Sequence, residues 1–185
     1  MRGMSACTIR SPRDPWNALF APLRCDGLAP WLRHEESLTD RISSRSSRFE
    51  VRVLSQRFAA LLPDEVRLLG RTRIARVRVR EVLLCADGRA VVFARSLVAC
   101  GSGPWREWQD LGTRPLACLL FGDPMVSRTR LAFRRLGSGD PRVRAARAVS
   151  GAQGPLWARR RSFLRGGSPL LLTEVFLPAI LELGS

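Results

Sequence analysis

The chain has 185 residues, of which 45% are hydrophobic, so it can bury the core of a single globular domain. Its formal net charge is +15, and all 31 basic residues are arginine because the sequence contains no lysine. It also contains no tyrosine, so Schiff-base catalysis, a P-loop lysine and a phenolic acid–base group are excluded.

A strongly basic chain is typical of proteins that bind nucleic acids or anionic membranes. Here the arginines are spread along the whole sequence, as a compositional bias of the genome would also produce. We therefore do not expect a nucleic-acid site, and a basic nucleic-acid-binding protein is kept as an alternative.

His34 is the only histidine, so a Ser-His-Asp triad or a multi-histidine metal site is poorly supported. The five cysteines are odd in number and none has CxxC spacing, which predicts neither a disulfide framework nor a zinc site. Cys85 and Cys118 lie in apolar runs and are interpreted as small core residues. We expect no metal, and a reducing, cytoplasmic compartment.

The N-terminal region is the least informative part of the chain. It lacks the apolar core of a signal peptide, but it is rich in arginine and nearly free of acids, which also fits a mitochondrial presequence. No apolar stretch anywhere reaches the roughly 20 residues of a membrane-spanning helix. We interpret residues 1–25, with their three prolines, as an extended segment and residues 26–185 as a single domain.

The first elements of the domain are short. Ser37, with Asp40 three residues later, predicts a helix N-terminus. The alternation of apolar and charged residues over 49–53 predicts a strand. Residues 63–69 favour a short helix with Gly70 at its C-terminal cap.

Residues 76–98 predict a β-hairpin with Asp87-Gly88 in its turn. A two- or four-residue loop gives a register in which opposed residue numbers sum to 175, so Arg80 would face Arg95. Opposed like charges destabilise a sheet, and burial on an apolar face adds a desolvation cost. Either a ligand with carboxylates compensates for these charges, or both guanidinium groups reach solvent or structural acids.

Two helices are predicted after the hairpin, over residues 104–111 and, beginning after Thr113, over 114–121. The second helix is apolar, so the pair does not fit a DNA-reading motif. Residues 126–136 alternate as in a strand. Residues 137–155, rich in glycine, alanine and arginine, predict a long, mobile loop.

A second hairpin is predicted from residues 157–165 and 169–177, with Gly166-Gly167 in its turn. Opposed residue numbers then sum to 333, which places Arg159 opposite Glu174. A carboxylate among apolar residues is costly unless it is paired or used, so an ion pair with Arg159 and a ligand contact are both open. Short helices followed by mostly antiparallel strands indicate an α+β domain.

Several of these stretches are together similar to one enzyme family. The matching residues are Arg80 to Gly88 (REVLLCADG), Ala94-Arg95, 112–116, Trp157 with 159–162, and 169–178 (PLLLTEVFLP). In this order, from about residue 31 to 178, the chain resembles the chorismate pyruvate-lyase family.

The resemblance implies a mainly antiparallel six-stranded sheet with helix-turn-helix flaps that cover a buried ligand site. It implies a lyase that converts chorismate to 4-hydroxybenzoate and pyruvate, the first step of ubiquinone biosynthesis. It also implies that no metal or organic cofactor takes part. We expect the protein to be a monomer.

The family's ligand contacts fall on particular residues of this chain. Arg80 falls on the carboxylate-binding arginine and Glu174 on the acid that contacts the ring hydroxyl, so these two are the implied catalytic residues. Leu116 falls where the backbone touches the ligand, Leu38 on an apolar wall, and Arg95 on a second arginine near the site.

One other function class resembles this fold. The ligand-sensing domains of some GntR-type regulators look similar and catalyse nothing. The sequence shows no separate DNA-binding domain and contains both the Arg80 and the Glu174 motif, which favours the enzyme.

Overall fold

A single antiparallel sheet organises the chain. The computed structural model describes residues 15–16, 27–66, 68, 77–101 and 103–184. Their strands follow the order β1-β2-β3-β7-β6-β4, and β5 also pairs with β6. The strands are β1 Phe49–Ala59, β2 Val77–Ala86, β3 Arg89–Ala99, β4 Val126–Arg128, β5 Ala132–Leu136, β6 Leu156–Arg165 and β7 Ser168–Phe176. The α+β class is thus confirmed, with seven described strands rather than six, because the strand predicted over 126–136 is divided into two.

Short helices cover both faces of this sheet. The α-helices are α1 Ala29–Leu32, α2 Leu38–Ser43, α3 Pro63–Val66, α4 Ala117–Leu120 and α5 Pro141–Ser150, and the 3₁₀ helices are Gly103–Asp110 and Pro178–Leu183. The predicted N-cap is confirmed, since the Ser37 side chain accepts a hydrogen bond from the Asp40 N–H. Within the described ranges, no helix is long and apolar enough to cross a membrane. The proposed boundary at residue 25 stays a prediction, because only residues 15 and 16 of that segment are described.

The first hairpin contains a β-bulge that the sequence did not predict. Its turn is as expected, with positive φ at both Asp87 and Gly88. Val91 is an extra residue of β3 that has no partner on β2, so beyond it Arg80 pairs with Ser96. The predicted register of Arg80 opposite Arg95 is therefore wrong. Because side chains alternate between faces, this one-residue shift places the two arginines on opposite faces of the sheet.

The second hairpin has the predicted register. Gly166 and Gly167 both have positive φ and join β6 directly to β7. No bulge interrupts the ladder, so Arg159 pairs with Glu174 as expected. Arg159 and Glu174 thus project from neighbouring strands on the same face as Arg80.

The region predicted to be a mobile loop, residues 137–155, contains helix α5 instead. Asp140 caps its N-terminus by accepting a hydrogen bond from the Arg142 N–H, and Gly151 ends it in a left-handed conformation. Val143 and Ala146 are fully buried against the sheet. The composition suggested a solvated loop, but three turns with one apolar stripe are enough to pack as a helix.

Only the second of the two predicted flap helices is shorter in the structure. The first predicted helix is present as the 3₁₀ helix Gly103–Asp110. The second, α4, begins at Ala117 and not directly after Thr113 as predicted. Cys118 of α4 is exposed, so its interpretation as a core residue is wrong, whereas Cys85 is buried as expected. Helix α3 ends at Val66, and its predicted cap at Gly70 lies outside the described residues.

Candidate active site

A cavity lies on one face of the sheet, which we call the cavity face. Arg80, Val82, Ala94, Ser96, Leu172 and Glu174 all belong to this face. Helices α1 and α2 pack on one end of this face. The 3₁₀ helix Gly103–Asp110 and α4 pack on the other end. Its remaining lining comes from Glu35, Glu36, Leu38, Thr39, Val51, Leu84, Pro115, Leu116, Ala117, Leu120, Phe121, Leu131, Arg159, Arg161 and Phe163. Four of the five predicted site residues, Leu38, Arg80, Leu116 and Glu174, thus share one cavity.

Arg80 is a buried cation without a counter-ion among the described residues. Arg80 is only 1% exposed, and its Nη2 donates a hydrogen bond to the Gly112 carbonyl oxygen at 2.8 Å. Its Nε has no hydrogen-bond partner. Burial lowers the pKa of the guanidinium, although not enough to discharge an arginine at neutral pH. Such a group is costly unless a bound anion compensates for it, so this end of the cavity is suited to a carboxylate.

Glu174 lies one row further along the sheet. Its Oε2 accepts a hydrogen bond from Arg159 Nε at 2.5 Å, so the ion pair predicted as one of two alternatives is present. Arg159 also donates from Nη1 to the His34 carbonyl oxygen. No described residue donates to the other carboxylate oxygen of Glu174, which leaves it able to accept a hydrogen bond from a ligand.

Leu38 and Leu116 form apolar walls of the cavity. Leu38 is the first residue of α2, and the Ser37 cap fixes where this helix starts. Leu116 precedes the first residue of α4 on the opposite side. Both side chains are at least nine-tenths buried. The cavity therefore combines charged ends with apolar walls, as small-molecule sites generally do.

Arg95 does not reach this cavity, so the expectation of a second ligand-binding arginine at this position is corrected. The bulge at Val91 turns Arg95 to the opposite face of the sheet. There its Nε donates to Glu65 and its Nη1 to Glu81, each at 2.8 Å. Burial lowers the pKa of Arg95, but these two carboxylates outweigh it and raise that pKa overall. Arg95 is a structural cation.

We expect Arg95→Met to lower the free energy of unfolding by about 3–5 kcal/mol, because Glu65 is fully buried and would lose its cation. Arg89→Met is the matched control and should have little effect, since Arg89 and its partner Glu182 are both exposed. Urea denaturation of the three proteins measures this difference. A well-folded, stable Arg95→Met protein that no longer binds benzoates would restore the rejected ligand role.

Three cavity residues were not identified from the sequence. Arg161 is 6% exposed and lies two residues beyond Arg159 on β6. It contacts Glu35, which is 126 positions away, so no local pattern could have indicated the pair. Ser96 is buried and accepts a hydrogen bond from Trp108 Nε1, which leaves its own O–H available to the cavity.

Across the described ranges, no cluster of three or more potential ligands could hold a metal ion.

A sequence profile described as "Chorismate lyase" matches residues 23–183. The chain belongs to the chorismate lyase family. It is 51% identical over 163 residues to a "Probable chorismate pyruvate-lyase" of Azoarcus sp. (strain BH72), covering 84% of this chain and 86% of the relative. It is 41% identical over 186 residues to a protein of the same description from Ralstonia nicotianae, covering 96% and 95% of the two chains.

Solved structures place this chorismate lyase family member near a group of regulators in fold. The effector domain of PhnF from Mycobacterium smegmatis matches with a TM-score of 0.55 at 14% identity, covering 77% of this chain and 89% of that one. The C-terminal domain of the histidine utilization repressor of Pseudomonas syringae matches with a TM-score of 0.53 at 15% identity, covering 71% and 93%. These likenesses describe the fold alone.

Proposed function

We propose that this protein converts chorismate to 4-hydroxybenzoate and pyruvate. The observation that carries the proposal is Arg80, a buried guanidinium with no counter-ion among the described residues, which lines the same cavity as the Glu174 carboxylate. Membership of the chorismate lyase family supports it. Chorismate has a ring carboxylate and, across the ring, a hydroxyl group, which these two residues would bind.

The reaction needs little chemistry from the protein. The C3–O ether bond breaks, and the hydrogen on C4 moves to the methylene carbon of the enolpyruvyl group, which becomes the methyl group of pyruvate. The electrons of the C4–H bond form the C3–C4 double bond, which makes the ring aromatic. Atoms and electrons balance without an oxidant, a reductant or added water. The protein must fold the substrate into this cyclic geometry and exclude solvent.

Residues that line the cavity would meet these two requirements. Arg80 would hold the ring carboxylate on the edge formed by its unpartnered Nε and Nη2, since Nη2 has a second N–H besides the one it donates to Gly112. Glu174 would accept a hydrogen bond from the 4-hydroxyl with its free oxygen and so fix the ring's rotation. Leu38 and Leu116 would press on the ring from the two covering segments and keep water out.

The product retains the ring carboxylate and the hydroxyl, so 4-hydroxybenzoate should bind the same two residues. We assign the product to ubiquinone biosynthesis, as the resemblance implies, and we propose that the protein acts without a cofactor.

We expect purified protein to form 4-hydroxybenzoate from chorismate at the same rate with and without excess EDTA. The reason is that the proposed step is a cyclic hydrogen transfer and uses residues that bind carboxylates and a hydroxyl. Absorbance of 4-hydroxybenzoate and coupled detection of pyruvate measure the two products in parallel. Binding of chorismate or benzoates without turnover would favour a ligand-sensing role, and activity that EDTA abolishes and a divalent ion restores would contradict the cofactor-free mechanism.

A further inference from the structure

Arg161 is one of the three arginines that line the cavity, with Arg80 and Arg159, and its contacts are incomplete. The residue is 6% exposed and lines the cavity from β6. Its Nη1 donates to the backbone carbonyl oxygen of Glu35 at 2.9 Å, and its Nη2 binds the Glu35 carboxylate. Its buried Nε has no partner. A buried donor without an acceptor is costly, which indicates that another group can bind here.

The unpaired Nε lies beside Nη2 on one edge of the guanidinium group. This edge can bind both oxygens of a carboxylate through two parallel hydrogen bonds. The Glu35 carboxylate contacts Nη2 but not Nε, and its side chain is 61% exposed. Glu35 therefore shows that the position accepts a carboxylate, and it could leave for solvent at little cost while its backbone contact with Nη1 remains.

The position of Arg161 matches the shape of chorismate. Register pairs place Arg80, Ser96, Leu172 and Arg161 in one row across four strands, so the Cα atoms of the two arginines are about 14 Å apart. Glu174 lies in the next row, one strand away from Arg161. In chorismate the enolpyruvyl ether is attached to the ring carbon beside the hydroxyl-bearing one. With the ring carboxylate at Arg80 and the hydroxyl at Glu174, one of the two orientations of the ring about the axis through these groups directs the enolpyruvyl carboxylate towards β6.

We propose that Arg161 binds the enolpyruvyl carboxylate of chorismate and that the Glu35 carboxylate occupies this position in the empty protein. The inference rests on the proposed function, because it uses the same ring orientation. Arg161 thus distinguishes substrate from product: chorismate has two carboxylates and engages Arg80 and Arg161, whereas 4-hydroxybenzoate has one and engages Arg80 alone.

The test compares substrate and product in one variant. Arg161→Gln should lower kcat/KM for chorismate about 10- to 100-fold, whereas Kd for 4-hydroxybenzoate, measured by calorimetry, should stay within about twofold. The variant should fold, because the Glu35 carboxylate is already largely in water. Arg135→Gln is the matched control: it removes the same charge from an exposed position on β5, and neither quantity should change.

A second variant tests the exchange from the other side. Glu35→Gln should lower KM for chorismate about two- to fivefold, because it weakens the group that competes for Arg161, and it should leave 4-hydroxybenzoate binding unchanged. An unaltered kcat/KM in Arg161→Gln, or an equal loss of product affinity, would overturn the inference.

Failure of the proposed function gives a different result. If wild-type protein binds chorismate without turnover, calorimetry with chorismate replaces kinetics. The inference then requires that Arg161→Gln binds chorismate more weakly than wild type does and binds 4-hydroxybenzoate as tightly as wild type does. A wild-type protein that binds no chorismate overturns both proposals.

Discussion

Arg80→Met is expected to lower kcat/KM for chorismate about 100- to 1000-fold without destabilising the empty protein. The loss of activity follows from the removal of two charge-assisted hydrogen bonds to the ring carboxylate, each contributing about 1.5–3 kcal/mol. Stability should change by less than about 1 kcal/mol, because no described carboxylate depends on this cation. The Gly112 and Arg114 carbonyl groups that lose a donor belong to exposed residues and can bind water instead.

The same substitution at Arg95 is the internal comparison. Both arginines are buried in the same hairpin, yet Arg95→Met should unfold easily, whereas Arg80→Met should fold and fail to bind. Arg80→Lys should also have little activity, because an ammonium group cannot reproduce the planar fork. Steady-state kinetics measures activity, urea denaturation measures stability, and the rise in Tm with 4-hydroxybenzoate measures product binding. Normal kinetics in a folded Arg80→Met protein would contradict the assignment.

Glu174→Gln is expected to fold and to lose about 10- to 1000-fold in kcat/KM, equivalent to about 1.4–4 kcal/mol. The amide has the size of the carboxylate, but its single oxygen can face either Arg159 Nε or the substrate's hydroxyl, and its NH2 group takes the other position. The amide also lacks the negative charge that strengthens both bonds. Arg159 keeps a carbonyl acceptor at His34, so the buried cation is not left without partners.

The Arg159→Gln variant separates the two possible roles of Glu174. If Glu174 only neutralises Arg159, Glu174→Gln should lose stability, and its activity should fall only in step with the folded fraction. If Glu174 binds substrate, activity per folded molecule should fall in Glu174→Gln by more than it does in Arg159→Gln. Full activity in Glu174→Gln, with strong loss in Arg159→Gln, would remove Glu174 from the site. The measurement is kcat/KM divided by the folded fraction, which is taken from denaturation curves. It decides whether Glu174 binds substrate or only neutralises Arg159.

The two hairpins show what can be predicted from local sequence and what cannot. The register of the second hairpin followed from Gly166-Gly167, because a tight turn fixes pairing wherever the ladder is continuous. The first hairpin has an equally clear turn, but a single extra residue at Val91 changed the pairing beyond it. Bulges depend on how a strand packs on its neighbours, and no turn signal reports that packing.

Helix α5 and the Arg161–Glu35 pair were missed for different reasons. The ends of α5 did have sequence signals, Asp140-Pro141 at the start and Gly151 at the end, but the arginine-rich composition outweighed them. The Arg161–Glu35 contact joins two segments that are 126 positions apart in the chain and exists only after the sheet has formed. Residues supplied by such long-range contacts are beyond prediction from periodicity in a single sequence.

The bulge at Val91 also bears on how the hairpin can change during evolution. Loss of this one codon would restore continuous pairing and bring Arg80 and Arg95 to the same face, so the cation that we propose binds a ligand would lie beside the one that is neutralised inside the protein. Such a deletion changes neither arginine and removes only one valine. When a related sequence is aligned with this one and a one-residue gap falls between positions 88 and 92, either the gap is misplaced or the related protein has lost this arrangement of charges.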